Sequence, residues 1–217
     1  GAERRVVFSD DPPQDGRRVM VWAGKADPEA DVVRVEDGFL RSRGLGAALV
    51  PPLSLACDDL GIYYDPTRES RLERMIAARA TLRPDQKYRA EALVADLIRL
   101  GLTKYTLGGA LPDLPEGRRI LVPGQVEDDA SIRLGAGDVA TNLGLLRVVR
   151  EANPDAVILY KPHPDVEAGL RDGAVDRAED WADMVLPGAD TAALLDQVEE
   201  VWTMTSLMGF EALLRGL

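Results

Sequence analysis

From Arg119 onward the chain alternates short apolar runs with amphipathic stretches, and this pattern narrows the available folds more than any other feature. Arg119-Ile120-Leu121-Val122-Pro123, Ala156 to Tyr160, Met184-Val185-Leu186 and Glu200 to Met204 read as buried strands. Helical segments lie between them. One is capped by Asp138 and runs to about Glu151, with Leu143, Leu146 and Val149 inward. Another runs from Ala192 to Val198, started by Asp190 or Thr191, and a last one from Gly209 to Arg215. Strand–helix alternation with short connections implies parallel βαβ units. Ligands of such sheets bind beyond the carboxyl ends of the strands.

Polar residues cluster at those ends. Ala156 to Tyr160 runs into Lys161-Pro162-His163-Pro164, which holds the only histidine of the chain. The two prolines stiffen this loop, because proline cannot donate to a ladder and restricts the residue before it. A lysine and a histidine held there suit an anion such as a phosphate; the other reading is a stiff, solvated turn. Arg119 to Pro123 is followed by Gly124-Gln125-Val126-Glu127-Asp128-Asp129-Ala130-Ser131-Ile132. Three carboxylates in one loop leave three readings open: a solvated acidic loop, a magnesium or manganese site, or a carboxylate nucleophile. After Glu200 to Met204 comes Thr205-Ser206-Leu207-Met208-Gly209-Phe210-Glu211. Hydroxyl residues at a helix start serve as an ordinary N-cap or offer backbone N–H groups to an anion.

The first half is less regular. Val6-Val7-Phe8, Val19 to Trp22 and Asp31 to Val35 read as strands, with a loop from Asp10 to Arg17. Leu53 to Cys57 and Gly61 to Tyr64 flank Asp58-Asp59 as a hairpin or two extended pieces. Ser70 to Leu82 is helical by spacing. Pro84 opens a second helix whose stripe is Ala90, Leu93, Val94, Leu97 and Ile98, ended by Gly101. Leu107 to Gly117 is the linker, dividing the chain into residues 1–112 and 113–217. A fourth polar cluster, Glu36-Asp37-Gly38 with Arg41 and Arg43 behind it, reads as an acidic turn paired to arginines, or as a hydroxyl-binding or general-base site.

Composition sets limits on partners. With 217 residues the chain can bury a sizeable core. Its formal charge of −11 argues against a general nucleic-acid binder but leaves room for a local basic pocket. Cys57 is the only cysteine, so an intramolecular disulfide is excluded. No apolar run approaches a membrane span, and no signal peptide is visible. Neither a P-loop nor GxGxxG is present; Gly44-Leu45-Gly46 is too weak a match. The end at Leu217, directly after a helix and Gly216, reads as a fragment, since a further strand is expected next.

Taken together, Arg34 to Gly46, Pro52 to Asp65, Gln125 to Ile132, and Lys161 to Pro164 with Thr205 to Glu211 resemble the bacterial capsule polysaccharide β-Kdo transferases. The resemblance runs in matching order from about Arg34 to Leu217. It implies an α/β, GT-B-like architecture of two Rossmann-type domains with mostly parallel sheets, the second incomplete: an acceptor-side domain over 1–112 and a nucleotide-sugar-binding domain over 113–217. The implied reaction transfers Kdo from CMP-β-Kdo to a Kdo-bearing lipid with retention. Asp129 matches the family's Gln-x-x-x-Asp loop and is the expected nucleophile, with Gln125 orienting the sugar or the aspartate. Lys161, His163 and Ser206 are expected on the CMP phosphate and Glu211 on the ribose. Glu36 and Asp37 are expected to assist the acceptor, and Arg41 to grip its carboxylate. No metal or other cofactor is implied. A cytoplasmic location follows, with peripheral association at the inner membrane face through the lipid acceptor, although no amphipathic basic helix is evident. The family's full proteins often carry two such modules, so a second module is expected as partner. The Arg41-Ser42-Arg43-Gly44-Leu45-Gly46 form points to the second of the pair. The alternatives are a sugar-nucleotide 2-epimerase, which Glu36 to Phe39 and Gly61 to Asp65 fit less well, and an inert acceptor-binding fragment.

Overall fold

The computed structural model describes residues 7–11, 15–27, 29–45 and 49–217. Two sheets organise them. The first has strands β1 (Met20–Trp22), β2 (Val33–Asp37) and β3 (Leu55–Asp58) in the order β1-β2-β3, with β1 parallel and β3 antiparallel to β2. The second has β4 (Arg119–Pro123), β5 (Val157–Lys161), β6 (Met184–Val185) and β7 (Glu200–Val201) in the order β6-β5-β4-β7, all parallel. Helices α1 (Arg71–Ala77) and α2 (Pro84–Arg99) lie between the sheets in sequence. In the second half α3 (Ala130–Gly135), α4 (Asn142–Ala152), α5 (Pro164–Glu167), α6 (Thr191–Leu195) and α7 (Leu207–Leu213) fill the connections.

The second sheet is buried on both faces, as an all-parallel sheet must be. Ile120, Val122 and Ile158 pack with Leu145, Leu146 and Val149 of α4 on one side. Leu121 and Leu159 pack with Leu194, Leu195 and Ala212 on the other. Ile120, Leu121, Val122, Ile158 and Leu159 are each 0% exposed. At about 1.5–3 kcal/mol for each such side chain, this core dominates the stability of the chain.

Several expectations need correction. Val7 and Phe8 are exposed and form no strand, and Val6 lies outside the described residues, as does Gly46 of the Gly44-Leu45-Gly46 run. β2 runs two residues later than expected, so Glu36 and Asp37 are strand residues rather than a turn. Gly61 to Tyr64 is not a strand. The Asp58 carboxylate accepts from the N–H groups of Leu60, Gly61 and Arg71 and turns the chain before it can pair. α4 is capped by Thr141, whose hydroxyl accepts from Gly144 N, and not by Asp138; Leu145 is buried in place of Leu143. The second proline of the Lys161 loop opens α5, with His163 as its N-cap. The α2 stripe is only half-buried at Val94, Leu97 and Ile98, and Leu93 is exposed.

The two halves touch at several points. Phe39, just after β2, lies 5.9 Å from Phe210 of α7, centroid to centroid. Lys104 N donates to the Glu211 carboxylate at 2.7 Å, while Lys104 O accepts from Arg41 N and Ser42 N. The segment 103–106 is thus tied to both halves.

Candidate active site

At the carboxyl edge of the parallel sheet, the loops after β4, β5 and β7 converge. Here the connectivity reverses: β5 and β6 lie on one side of β4 and β7 on the other. Open α/β sheets bind ligands at such a switch point. A cleft of about 180 Å³, open to solvent, lies there. Its walls include Asp129, Lys161, His163, Asp165, Arg171 and Glu211.

Gly124 brings the first two loops together. A Cβ on it would stand 2.7 Å from Tyr160 Oη and 3.2 Å from His163 N, so a side chain would force them apart. Gln125 follows, buried at 6% exposure. Its amide donates to Thr205 Oγ1 at 2.9 Å and accepts from Thr205 N at 3.0 Å, lacing the β4 loop to the β7 loop. Asn142, 1% exposed, clamps the same loop from the start of α4. Its side chain accepts from Gln125 N and donates to Gln125 O and Gly173 O, and its N–H donates to Glu127 Oε1. Local sequence hides this clamp, because Asn142 sits 17 positions from its partner and looks like an ordinary first-turn residue.

The three neighbouring carboxylates therefore have different partners. Glu127 holds Asn142, and Asp128 pairs with Arg171 at 2.7 Å. Asp129 caps α3, its Oδ1 accepting from Ser131 N at 2.9 Å and Ser131 Oγ at 2.7 Å. Among the described residues Asp129 Oδ2 has no hydrogen-bond partner, and no group of three or more His, Cys, Asp or Glu is placed to hold a metal ion.

Lys161 closes β5 at 4% exposure. Among the described residues its ammonium makes no hydrogen bond or ion pair. Burial holds its pKa below the ordinary lysine value, against the pull of Glu167 and Asp190. His163 Nδ1 accepts from Asp165 N at 3.1 Å, which places the ring proton on Nε2. Burial, with Lys104 and Lys161 nearby, lowers its pKa to about 4. The ring is neutral near pH 7. His163 thus offers a neutral Nε2–H donor in the same cleft as the Lys161 ammonium, desolvation outweighing the pull of Asp165. One oxygen of Asp165 is buried without a partner.

Glu211 is buried at 6% exposure and held by Lys104 N; burial raises its pKa. Ser206 lines the cleft, but its hydroxyl caps α7 by accepting from Met208 N. Glu36 does not line the cleft itself; burial raises its pKa, and the charges of Asp37 and Asp129 add to it. Asp37 is ion-paired with Arg41. Arg41 also donates to Ser42 Oγ and to Val50 O, both at 2.9 Å, and is 6% exposed. Arg41 is thus held from inside the protein and is not among the residues that line the cleft. The sequence reading also passed over Thr103 to Thr106 and Arg171, which line the cleft from loops with no motif.

The capsule polysaccharide biosynthesis protein family matches residues 6–101 and 113–217. The chain belongs to that family. The capsule polysaccharide modification protein LipA of Neisseria meningitidis serogroup A is 44% identical over 225 residues, covering 98% of this chain and 31% of LipA. The lipopolysaccharide-processing protein LpsZ of Rhizobium meliloti is 47% identical over 190 residues, covering 84% of this chain and 43% of LpsZ. The chain thus spans about a third of the length of LipA. Among solved structures, the β-Kdo 2,4 transferase of Thermosulfurimonas dismutans KpsC has a TM-score of 0.79 at 32% identity, covering 91% of this chain and 66% of that one. The β-Kdo 2,7 transferase of the same protein has a TM-score of 0.71 at 35% identity, covering 93% and 63%. The α/β fold is therefore the GT-B-like one of these enzymes, in part. No helix among the described residues is long and apolar enough to cross a membrane.

Proposed function

We propose that this chain carries the donor-binding and reacting groups of a retaining transferase that moves Kdo from CMP-β-Kdo to a Kdo-bearing lipid. The observation that carries this reading is the cleft itself. A carboxylate with one oxygen and a buried ammonium that have no hydrogen-bond partner among the described residues share it with an Nε2–H donor, in a family member similar to two Kdo transferases.

Retention follows from two displacements. Asp129 Oδ2 attacks the anomeric carbon, and the bond from that carbon to the phosphate oxygen breaks with its electron pair on CMP. Lys161 and His163 Nε2–H meet the charge that develops there. An acceptor hydroxyl then attacks the glycosyl–Asp129 ester and frees the carboxylate. Glu36, its pKa raised by burial, accepts the hydroxyl proton. Gln125 and Asn142 hold the loop that aims Asp129. Glu211 meets the ribose hydroxyls. The leaving phosphate has a cation already, so the reading asks for no metal. The lipid acceptor would bring the protein to the inner face of the cytoplasmic membrane, beside a second module.

Incubation with CMP-Kdo and an acceptor, followed by mass spectrometry of products and of the intact protein, tests this. Asp129→Asn keeps the helix cap and removes the nucleophile. It should lower transfer on the order of 10⁴-fold or more while CMP still binds. Glu36→Gln should lower transfer about 10²–10⁴-fold and leave a glycosyl adduct on Asp129. An active Asp129→Asn enzyme overturns the nucleophile assignment, and a strict need for a divalent cation overturns the metal-free step.

A further inference from the structure

The reading above leaves one charge unmet. Kdo is a 2-keto sugar acid whose carboxylate is bonded to the anomeric carbon itself. A nucleophile attacking that carbon brings a second carboxylate against the first. Like charges at this distance repel each other. Lys161 cannot serve both the phosphate and this group, since it lies buried at the end of β5. A separate cation must stand beside Asp129.

We infer that Arg171 is that cation and binds the carboxylate of the donor sugar, exchanging its partner Asp128 for the substrate. Arg171 lines the cleft together with Asp129. Its Nη2 lies 2.7 Å from Oδ1 of Asp128, the residue next to Asp129 in sequence. The backbone around it is pinned to the acidic loop. Glu127 N donates to Asp172 O, and Gly173, at φ +134°, presses so closely on Gln125 O that a Cβ would stand 2.6 Å from it. Asn142 bonds both Gln125 O and Gly173 O. The guanidinium thus pivots on a fixed base. Its present partnership is cheap to break, because both side chains are substantially exposed, at 40% and 54%, and exposed ion pairs hold weakly. A guanidinium also matches a carboxylate in shape, through two parallel N–H···O bonds. Lys104, the other cation on the cleft wall, sits over the Tyr105 ring at 5.2 Å.

This inference rests on the donor assignment above, and the test separates the two. Calorimetric titration of CMP and of CMP-Kdo into the wild-type chain, Arg171→Met, Asp128→Asn and Lys104→Met resolves the sugar from the nucleotide. Arg171→Met should bind CMP as the wild type does and bind CMP-Kdo roughly 10- to 100-fold more weakly. Asp128→Asn releases Arg171 and should bind CMP-Kdo at least as tightly as the wild type. A purely structural ion pair would instead make the two variants lose affinity together, which overturns the inference. So does an Arg171→Met variant with unchanged CMP-Kdo affinity, or a selective loss in Lys104→Met alone. A wild-type chain that binds neither CMP nor CMP-Kdo overturns the donor assignment itself.

Discussion

The two sheets of this protein are stabilised by different means. In the parallel sheet, β4 and β5 are sealed on both faces by α4 on one side and α6 and α7 on the other. In the three-stranded sheet, Val35 is the only buried hydrophobic residue on a described strand, while Met20, Trp22 and Leu55 stand 42–49% exposed. What holds that half is polar: the Asp58 carboxylate with its three N–H donors, the Arg41 guanidinium with its three acceptors, and the Ser70–Glu73 capping box. The contrast follows from how each half serves the site. A dry, rigid sheet fixes the loops that carry Asp129, Lys161 and His163 within the cleft. The other half contributes Glu36 from the end of the central strand β2 and touches the parallel half at Phe39–Phe210 and Lys104–Glu211.

The sharpest way to break this comparison is to remove one core side chain from each sheet. Leu159→Ala in β5 should cost about 2–5 kcal/mol, because Leu159 is 0% exposed and its neighbours cannot close the gap. Val35→Ala in β2 should cost less, roughly 1–2.5 kcal/mol. Urea midpoints measure both; equal losses would show that the sheets are one cooperative core.

A second test uses pH and concerns the parallel half alone. The folded pKa of His163, about 4, lies below its ordinary 6.5. As pH falls, the unfolded chain takes up this proton first, so the folded state loses ground. The contribution is complete above about pH 6.5 and disappears progressively down to about pH 4, amounting to about 3 kcal/mol. His163→Asn, which keeps an acceptor for Asp165 N, should flatten the stability profile in that window. An unchanged slope would mean that the imidazole is not buried as the structure places it.

The smallest effect probes the polar support of the first half. Ser70→Ala removes the α1 cap, whose hydroxyl accepts from Glu73 N at 3.1 Å, and should cost about 1 kcal/mol. Hydrogen exchange would show whether the loss stays within α1 and its partner Asp58 or spreads to β2.

Legibility differed between the halves for the same reason. β4, β5, β6 and the start of β7 were readable because a strand buried on both faces must be an unbroken apolar run. The first half misled at Gly61 to Tyr64, where Asp58 captured the backbone donors a strand would have needed, and at Glu36 and Asp37, which a shift of β2 drew into the ladder. Residue types announced Lys161, His163 and Asp129. They could not announce that Arg41 is held by Ser42 and Val50, that Asn142 clamps the acidic loop, or that His163 is neutral, since each depends on partners brought near only by folding.

The sequence by itself determined that a parallel α/β sheet would form, about where its strands would lie, and that Lys161, His163 and Asp129 would gather at its carboxyl edge. Hydrophobic periodicity and proline chemistry are local, and they suffice for that. Only the tertiary structure decided the protonation of His163, the free oxygen of Asp129 and the partnership of Asp128 with Arg171. Burial and charge pairing are set by neighbours distant in sequence, and no local pattern encodes them.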